Sequence, residues 1–237
     1  MSFNNISFIL HKPQLSENIG LCARAMKNFG FKNLSVIEPK PIFPNDKIIA
    51  TSVGAKDLIQ KAKVYSNLER SLINTDILIA TSARFRNKNI KHISLDSLKK
   101  INFTKRVSFL FGSEASGLTN DEVSYADYTL QIPSNSKFRS LNLSHSLVIV
   151  AQTVSYLISI SKVDFQKSKK IQTATKKEIS SMLNFCLSTL ENQNFFKQKA
   201  KKPIMIENLR SIFYKMELSK KEIRILSSVF AGLAKKP

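Results

Sequence analysis

Four stretches of this chain have the residue types of a ligand-holding loop: Pro13–Gly20, Thr81–Arg86, Gly112–Thr119 and Pro133–Asn142. Three of them set glycine or proline beside small polar side chains, which lets backbone N–H and C=O groups come close to a ligand. None is a familiar phosphate cradle. GxGxxG and GxxxxGK[ST] are both absent, which disfavours dinucleotide and P-loop chemistry. No GxSxG elbow occurs, and His11, His92 and His145 have neither triad nor metal-ligand spacing. His145 reads as a helix-surface or packing residue. Cys22 and Cys186 form no CxxC and read as small apolar residues in a reducing compartment. The chemistry to expect is therefore metal-free and rests on loops.

The elements that position these loops alternate. Apolar β-like runs fall at Ile6–Leu10, Leu34–Ile37, Val64–Tyr65, Ile77–Ala80, Val107–Phe111 and Tyr128–Ile132. Between them lie helical patterns: Asn18–Phe29, stopped by Gly30, then Asp57–Ala62, Leu68–Ile73 and a short helix opened by the Thr119/Glu122 capping box. Pro39 to Pro44 reads as a loop. Such alternation predicts an α/β fold with a parallel sheet covered on both faces. In such a sheet ligands bind beyond the carboxyl ends of the strands, where all four loops belong. A helix over Asn142–Ile160 closes this first unit, residues 1–160.

Length and charge fit a large soluble domain with an appendage. The 237 residues are 43% hydrophobic and 23% charged, enough for a real core. Lys plus Arg number 37 against 17 acids, a net charge of +20, which favours a polyanionic partner, although only 8 of the 37 are Arg and AT-rich coding accounts for part of the lysine. Residues 161–175 read as a basic linker, and 176–237 as a small all-helical unit with capping boxes at Thr175/Glu178 and Ser219/Glu222. Residues 161–237 hold 17 basic and 6 acidic side chains, so one third of the chain carries more than half the excess charge, as a phosphate-backbone docking surface requires. No signal peptide or membrane span is expected, and the default location is the cytoplasm.

The loop residues have a further property. The run Pro13-Gln14-Leu15-Ser16-Glu17-Asn18-Ile19-Gly20 with Ala23-Arg24-Ala25-Met26-Lys27-Asn28-Phe29-Gly30 resembles the first motif of the SpoU-type (TrmH/TrmJ) RNA 2′-O-methyltransferases. Leu110 to Thr119 resembles the second motif, and Ile132-Pro133 through Ser140-Leu141-Asn142-Leu143-Ser144 the third; Thr81-Ser82-Ala83-Arg84 is similar to the loop after the fourth strand. The motifs come in family order. The basic tail with Asn208-Leu209-Arg210 is similar to the extension of the TrmJ branch.

The resemblance implies a SPOUT fold, whose parallel sheet ends in a C-terminal trefoil knot, working as a homodimer without metal. It implies S-adenosylmethionine (SAM) as cofactor, contacting Thr81, Ser82, Ala83, Gly112, Ile132, Ser140, Leu141 and Asn142. It implies tRNA as partner, methylated on the ribose of nucleotide 32 in the anticodon loop. Arg24, Asn18 and Glu114 are the catalytic residues it points to. A guanidinium with pKa above ~12 is a poor base, so Arg24 is expected to grip the phosphate beside the target ribose and stabilise the developing alkoxide. Asn18 either caps the helix or orients the site; Glu114 either orders its own loop or meets substrate. Asn142 caps the next helix as well as facing the ligand. Two positions depart from the family pattern: Phe138, followed by Arg139, stands where Tyr is common, and Ala80 where Gly often precedes the Thr. Both bear on nucleotide choice. The rival readings are methylation of ribosomal RNA or another tRNA position, and a non-catalytic RNA-binding protein of the same fold.

Overall fold

The computed structural model describes residues 3–83, 90–160 and 172–234. Arg84–Arg86 of the second loop, most of the linker and the last three residues lie outside them. The described elements are β1 (Ile6–His11), α1 (Ser16–Asn28), β2 (Asn33–Ile37), α2 (Asp46–Thr51), α3 (Lys56–Lys61), β3 (Lys63–Tyr65), α4 (Leu68–Ser71) and β4 (Ile77–Thr81). They continue with β5 (Lys91–Ser94), β6 (Val107–Phe111), α5 (Asn120–Ser124), β7 (Tyr128–Gln131), α6 (Leu143–Ile160), α7 (Lys176–Asn192), α8 (Lys202–Lys215) and α9 (Lys220–Ala234). No described helix is long and apolar enough to cross a membrane.

All seven strands form one parallel sheet in the order β3-β2-β1-β6-β4-β7-β5. The mixed α/β architecture expected from the alternating pattern is the one observed. Two elements lack an expectation. β5 is an edge strand whose one buried apolar side chain is Ile93, too little to read as a strand, and its lysine suits an edge. α2 is six residues long, capped by the Asn45 side chain accepting from Ile48 N at 2.9 Å, with only Ile48 buried.

Alternation along the strands separates two apolar layers. Ile6, Phe8 and Leu10 of β1, with Phe109 and Phe111 of β6, face α1, α2, α3 and α6. Ile9, Leu78, Ala80 and Leu110 face the other way, and α4, α5, α7, α8 and α9 cover them. Ile179, Met182 and Leu183 of α7 are buried in this second layer, so the basic tail is packed on the sheet.

Two glycines shape the first layer. Gly30 has φ +80° and ends α1, with Phe31 N–H donating to Met26 O at 2.9 Å and Gly30 N–H to Lys27 O at 3.1 Å, a Schellman closure. At Gly20 a Cβ would lie 2.0 Å from Thr51 Oγ1 and 2.5 Å from Ile48 O. Its missing side chain is what lets α2 pack on α1, so this glycine serves packing and not the ligand approach read from the sequence.

A buried ion pair fastens the tail to the sheet. Lys176 Nζ bonds Asp127 Oδ2, with the two side chains 1% and 4% exposed. Asp127 Oδ2 also accepts from Leu78 N at 2.7 Å, and Lys176 Nζ donates to Tyr214 O at 3.1 Å. β4, α7 and α8 thus meet at two charges.

Candidate active site

In the sheet order β1, β6, β4 and β7 are consecutive, and their carboxyl ends are His11, Phe111, Thr81 and Gln131. The four loops therefore leave adjacent strand tips, although the first and last of those tips, His11 and Gln131, are far apart in sequence. Between three of them lies a cavity of about 430 Å³, in the range of small-molecule sites. Thr81, Ser82, Ala83, Gly112, Glu114, Ile132, Ser140 and Leu141 all line it. Asn142, Asn18 and Arg24 are not among its lining residues.

The lining mixes the hydroxyls of Thr81, Ser82, Ser113, Ser116 and Ser140 with the apolar side chains of Leu118, Leu130, Ile132 and Leu143. Leu118 and Leu143 carry no polar chemistry, so nothing in their residue type marks them as part of a site, although each lies within a motif. The 112–118 loop is folded tightly: Gly117 has φ +66°, its N–H donates to Ser113 O at 2.9 Å, and a Cβ on Gly112 would sit 2.3 Å from Gly117 C. Only glycine closes this turn. The cavity's volume, its apolar side chains and its hydroxyls suit an adenosine, and Glu114, Lys137 and Arg139 also border it. Among the described residues no cluster of three His, Cys, Asp or Glu forms a metal-binding group.

Behind the cavity a hydrogen-bond chain joins the three motifs. Glu114 accepts from Gln14 N at 2.8 Å, Leu15 N at 3.3 Å and Asn18 Nδ2 at 2.8 Å. Asn142 Nδ2 donates to Asn18 Oδ1 at 3.0 Å, and Asn142 Oδ1 accepts from Ser144 N at 2.8 Å, capping α6. Asn18 is 3% exposed and sits in the first turn of α1. The helix starts two residues earlier than expected, with Leu15 at the N-cap and no side-chain cap bond, so Asn18 is not the cap. The Glu114 carboxylate takes over that role from across the sheet, accepting from the Gln14 and Leu15 N–H groups. Both Cys22 and Cys186 are buried; burial, with Glu114 nearby, pushes the Cys22 thiol well up, so it is unreactive.

Arg24 stands apart on the outer face of α1, exposed and with no hydrogen-bond or ion-pair partner among the described residues. One turn away Leu21 is 39% exposed, and on the adjoining α6 Tyr156 is 61% exposed. His145 is also exposed, in the first turn of α6.

At the tip of β1, His11 is buried with Nδ1 3.4 Å from Glu122 Oε1. Desolvation holds its pKa below the free value of 6.5, against the pull of Glu122 and with help from Lys12. The unfolded chain then binds the proton more readily than the folded one, so His11 lowers stability progressively as pH falls below 6.5. Urea unfolding at pH 7.5 and 5.5 should show a drop that His11→Gln reduces. Equal drops in both proteins would exclude the effect.

A fold of this topology with a cavity of this lining at the tips of β6, β4 and β7 defines a class. The profile of the SpoU rRNA Methylase family matches residues 5–152, and the chain belongs to that family. It is an RNA methyltransferase that draws its methyl group from SAM. Among individual proteins, the tRNA (cytidine/uridine-2′-O-)-methyltransferase TrmJ of Sodalis glossinidius is 30% identical over 239 residues, covering 97% of this chain and 91% of its own. The tRNA (cytidine-2′-O-)-methyltransferase TrmJ of Methanocaldococcus jannaschii is 33% identical over 150 residues, 61% of this chain and 65% of its own. The crystal structure of TrmJ from Z. mobilis ZM4 matches with a TM-score of 0.86 at 28% identity, covering 97% of this chain and 99% of that one.

Proposed function

We propose that this protein methylates the ribose 2′-OH of nucleotide 32 in the tRNA anticodon loop, on cytidine or uridine, in the cytoplasm. The observation that carries this reading is that the likeness to a tRNA (cytidine/uridine-2′-O-)-methyltransferase runs through the basic helical tail as well as the methylase region. Residues 1–160 are the SPOUT catalytic domain in this reading, 161–175 a basic linker and 176–237 the tRNA-docking extension. The stretch from Ile132 to Asn142 is the thread of a trefoil knot, supported by the insertion of β6 and β7 between strands laid down earlier.

The protein works as a homodimer in this reading. Arg24 and Leu21 on α1, with Tyr156 on α6, leave an exposed face that carries a guanidinium outside its own cavity; a second copy brings it to a site. Thr81, Ser82, Ala83, Gly112, Ile132, Ser140 and Leu141 hold the cofactor, largely through main-chain atoms, and Asn142 fixes the end of that loop. Bound there, SAM supplies a methyl already activated on a sulfonium. What remains for the chain is to orient the ribose and ease loss of its proton. Arg24 holds the phosphate beside the target sugar and lowers the energy of the alkoxide as it forms. Asn18 and Glu114 are positioning residues in this scheme, since their polar atoms are spent on each other and on the Gln14–Leu15 backbone.

Incubation of unmodified tRNA and of unmodified ribosomal RNA with labelled cofactor, each digested and mapped by mass spectrometry, tests the reading. One 2′-O-methyl at nucleotide 32 is expected. Label confined to ribosomal RNA, or to a different tRNA position, would replace the assignment.

A further inference from the structure

The turn between α7 and α8 has no part in the cavity, and it sets aromatic rings among lysines. Residues 193–203 carry four lysines, two phenylalanines and no acid. Phe195 is 52% exposed, its ring edge-on to Phe196 at 5.4 Å between centroids, and Lys202 Nζ lies 5.7 Å from the Phe196 centroid. Lys197, Lys199 and Lys201 are exposed and have no ion-pair partner among the described residues. The turn is held firmly. Phe195 N–H donates to Leu190 O at 3.0 Å, Asn194 takes φ +55°, and Gln193 Nε2 donates to Leu233 O at 2.6 Å.

Its place in the fold follows from α8. The Arg210 guanidinium sits 4.5 Å from the Tyr125 centroid and pairs with Asp121 at the start of α5, and the Tyr214 carbonyl accepts from Lys176 at the far end. α5 begins directly after the 112–118 loop, at the strand tips, whereas Lys176 N–H bonds Thr75 O just before β4, at the base. α8 therefore runs from tip edge to base edge. Going back from Arg210, the eight residues to Lys202 rise about 12 Å in the tip direction.

We propose that this turn is an RNA-reading platform, on which the Phe195 ring stacks an unpaired base while Lys197, Lys199 and Lys201 neutralise the adjacent phosphates. An exposed ring among lysines is how single-stranded nucleic acid is held: every base has a face to stack, and the backbone supplies the anion. The turn fits a strand already engaged at the methyl-transfer edge better than a lipid surface, because it presents one ring in a rigid turn instead of a continuous apolar helix face. The inference rests on RNA being the substrate of the neighbouring site.

Three full-length variants test it by binding of unmodified tRNA across a salt series. Phe195→Ala should raise Kd about five- to 100-fold. Replacing Lys197, Lys199 and Lys201 by Gln should flatten the slope of log K against log salt by about 2 to 3. Both should raise KM for tRNA and leave kcat at saturation within about twofold. The chain has no tryptophan, so Phe195→Trp places a single indole whose emission should be quenched by tRNA, with wild-type affinity retained. Wild-type affinity in Phe195→Ala and in the lysine variant overturns the platform and leaves tRNA methylation standing. An indole that responds to anionic phospholipid vesicles and not to tRNA also overturns it. A wild-type enzyme that methylates no tRNA instead removes the underlying functional reading, and the binding curves still decide the turn.

Discussion

Arg24→Ala is expected to lower kcat for tRNA methylation by about 10²- to 10³-fold, the cost of removing one preorganised donor to a developing oxyanion. The same change should leave the unfolding midpoint nearly untouched. The side chain is exposed and bonds nothing in its own chain among the described residues, and surface substitutions of that kind stay within about 0.5 kcal/mol. Arg24→Lys keeps the charge and loses the fork, so it should recover only part of the rate. Radiolabel transfer under saturating cofactor and tRNA, beside a thermal melt, measures both quantities. Equal transfer by the wild type and Arg24→Ala would take the residue out of the mechanism.

The opposite pattern is expected at the buried pair. Lys176→Met leaves the Asp127 carboxylate without its counter-charge in a site that water does not reach. Removing one partner of such a pair costs about 3–5 kcal/mol. For a protein of this size that corresponds to a midpoint lowered by about 6–20 °C. Combining Lys176→Met with Asp127→Asn should recover much of the loss. The amide keeps an acceptor for Leu78 N–H and carries no charge that needs a partner. Calorimetry on the single and double variants decides the matter; a single variant within about 1 kcal/mol of wild type would show that water or a shifted proton already compensates.

Much of the site was legible because each loop follows an apolar run that can only be a strand. Phe109-Leu110-Phe111 before Gly112, and Leu78-Ile79-Ala80 before Thr81, mark the tips directly. What brings those tips together leaves no local trace. β6 pairs with both β1 and β4, and nothing near Val107 in sequence states that its partners are Ile6 and Ile77. Periodicity likewise gave the tail helices a buried face, through Ile179, Met182 and Leu183, but not the identity of what that face covers. Asn18 was placed at a cap because asparagine favours caps. The backbone N–H groups at the start of the helix, Gln14 and Leu15, are instead taken by a carboxylate 100 and 99 positions away, and no pattern of spacing reports that. Gly20 illustrates the same limit: a glycine in a motif looks like room for a ligand, and here it is room for Thr51 and Ile48.

The place of β6 in the middle of the sheet has a cost during synthesis. β1 can zip onto β2 as soon as both have left the ribosome, but its other margin waits for Val107–Phe111, translated about a hundred residues later. At elongation rates of about 5–20 residues per second that is a delay of roughly 5–20 s. Throughout it the nascent chain carries an unpaired backbone edge along Ile6–Leu10, open to neighbouring polysomal chains. Expression yield in this protein should therefore respond to chaperone supply and growth temperature more steeply than the stability of the finished molecule would suggest.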